Sequence, residues 1–293
     1  MVDPIPSPAT RSGAERFDLI GGDAPASPVV ISVPHAGREY PPPLVAALRA
    51  PAAALMALED RHVDAVARAA RQGETLLIQR RGRAWIDLNR GEDERDPQVD
   101  EGAVMRADPS AKLRSGLGLV PRRAGRAGDL WRRRFTDAEV RQRIDEDHRP
   151  YHAALEQALG RAHARFGTAV LLDLHSMPPL GKGGARVVLG DRFGRSAAAR
   201  FVARAEAAIA ATRWRVALNS PYAGGYIVTR HARPLAGIHA IQVELDRSLY
   251  LDARLDGLGP NLATTAALVG RIADALADEA IHGVPGGARL AAE

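Results

Sequence analysis

The chain has 293 residues, 46% of them apolar or aromatic, enough to bury a sizeable core without covalent staples. It contains no cysteine, which excludes disulfides, thiolate metal sites, iron–sulfur clusters and cysteine nucleophiles together. Lysine occurs only at Lys112 and Lys182, so arginine supplies all but two of the 40 basic residues behind a modest net charge of +5.

The first 22 residues are rich in Pro, Ser, Asp, Glu and Arg and lack an apolar stretch. They read as an irregular N-terminal segment with no secretory signal, ahead of a single domain over 23–285. The run PVVISV at 28–33 predicts a short buried strand. Residues 60–71 place Val63, Val66, Ala67 and Ala70 at helical spacing. Residues 76–79 and 83–88 read as two strands around a glycine turn. Residues 91–134 are rich in Gly, Pro, Asp and Arg without periodicity, which predicts a long, partly ordered excursion; long loops of this kind are usually functional or mobile. Residues 136–166 are helical, with Tyr151, Leu155 and Leu159 on one face and Pro150 starting or kinking a segment. Strands follow at 169–174 (AVLLDL), 186–189, 215–218 and 238–245, and helices at 194–211 and 262–277. The pattern is that of one α/β domain with a mixed, mostly parallel sheet flanked by helices. No run approaches 18 apolar residues, so no membrane span is expected, and the location expected is cytoplasmic. The arginines of 114–134 lack the aromatics a nucleic-acid surface uses for stacking, at 4% of the chain, so they read as compositional habit and no nucleic-acid partner is expected.

In open α/β sheets ligands gather at the carboxyl ends of the strands. Four predicted strand ends carry His35, His175, Glu244 and the pair Asn89-Arg90. A lone histidine after a strand is usually a packed residue; two at equivalent positions favour a shared role. Two neutral imidazoles and one carboxylate, with a fourth position open, form the ligand set of many catalytic zinc sites. The carboxylate is open among Glu39, Glu59 and Asp60, and Asp60 reads equally well as a helix N-cap. Asp173 precedes His175 by two, shares its face of the strand and suits an outer partner. Glu244, between Val243 and Leu245, is either buried with a raised pKa or faces a cleft, and either suits a general base acting on metal-activated water. Its plainer alternative is an ion pair with an arginine. Arg83 and Arg90 offer planar forks that match carboxylates. The stretch NSPYAGGYIVTR at 219–230 should bring Tyr222 or Tyr226 toward the same end. Residues 181–184 (GKGG) follow two prolines and lead into a strand, which excludes a P-loop.

Six short motifs then occur in order between about residues 29 and 252: Ser32-Val33-Pro34-His35-Ala36-Gly37, Asp60-Arg61-His62-Val63-Asp64, Ile86-Asp87-Leu88-Asn89-Arg90, Asp173-Leu174-His175-Ser176, Gly224-Gly225-Tyr226-Ile227-Val228-Thr229-Arg230-His231 and Ile238-His239-Ala240-Ile241-Gln242-Val243-Glu244-Leu245. Together they resemble the N-formylglutamate amidohydrolase (formylglutamate deformylase) family. The resemblance implies a fold related to zinc carboxypeptidases and aspartoacylase. It also implies hydrolysis of N-formyl-L-glutamate to formate and L-glutamate, a late step of histidine degradation. It implies one zinc per chain held by His35, Asp60 and His175, with Glu244 as the base, Arg83 steadying the oxyanion and Asn89-Arg90 clamping a substrate carboxylate. Tyr226 and Arg230 follow as further substrate contacts, Arg230 for the second carboxylate. In the wider superfamily the acidic ligand stands three residues after the first histidine, where this chain has Arg38. The partner expected is a small acidic acyl-amino acid, handled by a monomer or homodimer. Another N-acyl amino acid or a glutamyl peptide is the alternative substrate, and a non-catalytic binding protein on the same fold is the alternative class.

Overall fold

The apolar runs become the middle of one sheet. The structure, a computed structural model, describes residues 16–105 and 107–283. Its strands are β1 (Phe17–Ile20), β2 (Val29–Val33), β3 (Thr75–Gln79), β4 (Ala169–Met177), β5 (Val187–Gly190), β6 (Val216–Leu218) and β7 (Ile238–Asp246). They lie in the order β1-β3-β2-β4-β7-β5-β6. The pairs β1/β3 and β5/β7 are antiparallel and the other four parallel, the mixed sheet expected. Every residue of β2, β4 and β7 is buried. Strands covered on both faces read as continuous apolar runs, which is why periodicity locates them.

The helices are α1 (Pro42–Ala46), α2 (Val63–Ala70), α3 (Ala111–Arg114), α4 (Asp137–Arg143), α5 (Arg149–Phe166), α6 (Ala199–Ala210), α7 (Tyr226–His231) and α8 (Leu262–His282). On one face α2, α6 and α8 pack over Val29, Ile31, Leu172, Leu174, Val243 and Leu245. On the other, Leu155 and Leu159 of α5 join Trp131, Leu119 and Leu130 of the excursion over Val30, Leu171 and Ala240. No helix among the described residues is long and apolar enough to cross a membrane.

Four elements differ from the sequence-based expectation. Residues 17–20, within the segment read as irregular, form β1 on the free edge of β3; residues 1–15 lie outside the described residues. Residues 83–88 form no strand, because β3 already carries β1 on one edge and β2 on the other. Their backbone is satisfied instead by turns and by the excursion, with Asp87 N–H donating to Leu119 O at 2.8 Å. The helix over 136–166 is broken by a π turn at Ile144–His148, after which Pro150 occupies the first turn of α5, where its missing N–H costs nothing. The excursion over 91–134 is packed rather than loose. Buried Arg122 bonds Asp96 at 3.1 Å and Asp129 at 2.7 Å, and Arg133 forks onto Glu139, so much of its positive charge is met internally.

Candidate active site

Along one face of β2, β4 and β7 the side chains change from apolar to polar as the strands approach their carboxyl ends. Val30 gives way to Ser32, Leu171 to Asp173 and His175, and Ala240 to Gln242 and Glu244. β4 runs on through Met177, so His175 stands within the strand, directly in register with Glu244. His35 lies in the turn just past β2, where Asp60 N–H donates to its carbonyl at 2.9 Å and draws the 60s into the site. Helix α2 starts later than the spacing suggests, with His62 at its N-cap position in the left-handed conformation and no side-chain cap. Asp60 is therefore free of the capping role, and its carboxylate turns to the histidines.

His35, Asp60 and His175 are all buried, and each offers a donor atom within 4.8 Å of the others. The tautomers follow from the surroundings. His35 Nε2 donates to Asp87 Oδ1 at 2.7 Å, and His175 Nε2 donates to Asp173 Oδ2 at 2.9 Å. Both Nδ1 atoms then face Asp60 Oδ2, at 3.7 Å from His35 and 3.1 Å from His175. A carboxylate behind each imidazole is the arrangement that orients and strengthens metal-ligating histidines. Asp173 is itself held by Ser32 Oγ–H at 3.0 Å, and Asp87 by Arg83 Nε–H at 2.8 Å. The other two candidate acids are engaged elsewhere. Glu59 accepts from Tyr40 and Arg61, while Glu39 is exposed and lines a separate hollow with Arg38 and Asp64. Arg38, three residues after His35, forks onto Asp64 with two bonds of 3.0 Å.

Burial disfavours the charge on His175, but Asp173 and Asp60 beside it outweigh that and hold its pKa well above the ordinary value. Asp60 is lowered because its interactions with His175 and His35 overcome its own burial. Asp87, also buried, is held well down by Arg83 and His35. Glu244 goes the other way: burial first, then the nearby Asp60 and Asp173 charges, raise its carboxyl to about 7 against the pull of His175 and Arg83. Gln242 Nε2 donates to Glu244 Oε1 at 2.9 Å.

These groups open into one cavity of about 400 Å³, lined also by Arg83, Asn89, Arg90, Lys112, Tyr222, Gly225 and Arg247. Asn89 Oδ1 accepts Ile227 N–H at 2.8 Å, which caps the first turn of α7 from a distance. Behind the Asn89-Arg90 turn lies a row of neutral histidines. His152 Nε2 donates to Leu88 O at 3.0 Å, His148 Nε2 to Arg90 O at 2.8 Å, and His231 Nε2 pairs with His152 Nδ1 at 2.9 Å. Seven of the nine residues to which the family resemblance assigns a role thus meet at the cavity, and two do not. Tyr226 lines a neighbouring hollow with Gly91, Glu94 and Leu113, and exposed Arg230 bonds the Tyr226 hydroxyl at 2.9 Å. Helix α7 turns both away from the face that Gly225 and Asn89 present. Arg247 goes unnoticed in the sequence, yet it donates to Ser176 Oγ at 3.2 Å, to Glu59 O and to Asp60 Oδ1 at 3.3 Å, holding the carboxylate from behind. Its one available signal is its place three residues after Glu244, just past the end of β7.

Residues 27–251 match the sequence model of the N-formylglutamate amidohydrolase family. The chain belongs to this family. Relatives of the N-formylglutamate amidohydrolase family similar to it include the N-formylglutamate deformylase of Pseudomonas aeruginosa, 32% identical over 77% of this chain and 82% of that protein. The N-formylglutamate deformylase of Pseudomonas putida is 31% identical with the same coverage. The crystal structure of N-formylglutamate amidohydrolase from Ralstonia eutropha superposes with a TM-score of 0.83 at 33% identity, over 92% of this chain and 99% of that one. A gene product of Agrobacterium tumefaciens shares the fold at a TM-score of 0.64 and 17% identity, over 89% and 95%.

Proposed function

We propose that this chain is a zinc-dependent hydrolase of N-formyl-L-glutamate, releasing formate and L-glutamate. The observation that carries the reading is a buried His-Asp-His donor cluster sharing one cavity wall with a carboxylate near neutrality, facing arginines. The name shared by the relatives agrees with it.

The donor set fits a divalent cation. It offers two imidazole Nδ1 atoms and one carboxylate, all buried, with both Nε2–H groups anchored on carboxylates and an open side toward the cavity. His35, Asp60 and His175 would hold one zinc ion per chain, which when bound polarises the formyl carbonyl and makes water more acidic.

Glu244 is the base. Gln242 fixes Oε1, which leaves Oε2 to take the proton from the attacking water and return it to the amide nitrogen as the C–N bond breaks. Arg83 commits Nε and Nη2 to Asp87, so Nη1 remains for the oxyanion formed at the formyl carbon. Arg90 commits Nε to Leu117 O and Nη1 to Asn89 O, leaving Nη2, and Asn89 contributes Nδ2; together they clamp the α-carboxylate.

A formate-release assay on the zinc-loaded chain, with N-formyl-L-glutamate and N-acetyl-L-glutamate side by side, tests the reading. Chelator-sensitive release from the formyl compound is expected. Bound zinc at one per chain with no release from it would overturn the substrate assignment.

A further inference from the structure

Four cationic side chains line the cavity among the described residues: Arg83, Arg90, Arg247 and Lys112. Three are already engaged, Arg83 with Asp87, Arg90 with the Leu117 and Asn89 carbonyls, and Arg247 with Ser176, Glu59 and Asp60. The Lys112 ammonium has no hydrogen-bond or ion-pair partner among the described residues. It is nevertheless held in place. Ser110 Oγ accepts Leu113 N–H at 3.2 Å and donates to Glu94 at 2.8 Å, fixing the start of α3, and Leu113 is buried behind the lysine. Leu117 N–H donates to Lys112 O at 2.9 Å, while Leu117 O accepts Arg90 Nε–H at 2.8 Å. The excursion thus ties the lysine backbone to the same residue that orients Arg90.

We propose that Lys112, presented by the excursion at the cavity wall, receives the side-chain carboxylate of the substrate and sets the preference for acidic over neutral N-formyl amino acids. A dicarboxylate has one more anion than the Asn89-Arg90 clamp accepts, and Arg230, the candidate from sequence for that second anion, lies outside the cavity lining. An unpaired ammonium on the same cavity wall as Arg83 and Arg90 is the complementary group, and partial burial first, then the like charges of Arg90 and Arg83, lower its pKa. The inference rests on the reaction proposed above, and the measurements below separate the two.

The test compares zinc-loaded wild type, Lys112→Met and Lys112→Arg on N-formyl-L-glutamate and its neutral near-isostere N-formyl-L-glutamine. Lys112→Met should lower kcat/KM for the glutamate compound by about 10- to 100-fold, as expected for one lost hydrogen bond between charged groups, and mainly through KM. The glutamine compound should change less than about threefold, and Lys112→Arg should recover most of the loss. Equal losses on both substrates, or none on either, would overturn the role of Lys112. If wild type releases no formate from N-formyl-L-glutamate, the reaction assignment fails, and Lys112 is judged by calorimetric binding of L-glutamate and L-glutamine. A glutamate preference lost in Lys112→Met upholds the role; no preference in wild type, or one unchanged in the variant, overturns it.

Discussion

Replacing Gly225 with alanine should disable Asn89 without altering any group that carries chemistry. The backbone at Gly225 is extended, with φ −107° and ψ −155°, so the substitution adds no conformational strain and its cost is steric. A Cβ there would stand 2.6 Å from Asn89 Cγ and closer still to its Oδ1 and Nδ2. Carbon atoms in contact sit about 3.5–4.0 Å apart, so the Asn89 side chain must retreat by about 1 Å. That retreat breaks the bond from Ile227 N–H at 2.8 Å and uncaps α7. Overpacking of this size costs about 1–3 kcal/mol of stability, and misplacing a positioning group by about 1 Å costs about 100-fold in turnover. The assay is a four-member cycle of wild type, Gly225→Ala, Asn89→Ala and the double variant, read by denaturant unfolding and by formate release. With Asn89 already truncated the methyl group has no amide to displace, so the stability penalty should largely vanish, giving a coupling of about 1–3 kcal/mol. Wild-type turnover in Gly225→Ala, or an equal stability cost in both backgrounds, would refute the steric argument.

Four further outcomes follow from the same geometry. Glu244→Gln should retain stoichiometric metal while kcat falls about 100- to 10,000-fold; near-normal turnover would remove it as the base. His175→Ala should lose the metal, as measured by elemental analysis after dialysis, and full retention would sink the ligand assignment. Arg247→Met, which frees Asp60 Oδ1, should weaken zinc binding about 10- to 100-fold in a chelator competition; unchanged affinity would leave Arg247 only a packing role. Burial holds the His231 imidazole at about 4 against an ordinary 6.5, so between those values the unfolded chain binds the extra proton and stability rises with pH, by about 3 kcal/mol in total. His231→Gln should flatten that part of the unfolding profile between pH 4 and 6.5, and an identical slope would show that His231 does not titrate there.

The strands β2, β4 and β7 were readable from sequence, as 28–33, 169–174 and 238–245, because burial on both faces leaves a local imprint, a largely apolar run. The same runs ended in histidine or glutamate, and a parallel sheet gathers such ends at one edge, so the chemistry of His35, His175 and Glu244 was also local information. Six ordered motifs were enough to name the family. What tertiary structure alone decided was which neighbours meet. Asp60, Glu59 and Glu39 are equivalent acids along the chain; Arg61 and Tyr40 engage Glu59, Glu39 faces a separate hollow, and Asp60 is left to the histidines. Residues 83–88 have strand-like composition, but both edges of β3 were occupied, so they became the buried turn that delivers Asp87, Asn89 and Arg90. Lys112 carries no local sign of its role and Arg247 only its place just past β7, while Tyr226 and Arg230, expected at the site, lie outside the cavity lining. Side-chain periodicity is a property of a few consecutive residues, whereas the convergence of loops depends on strand order, register and packing between segments more than a hundred residues apart.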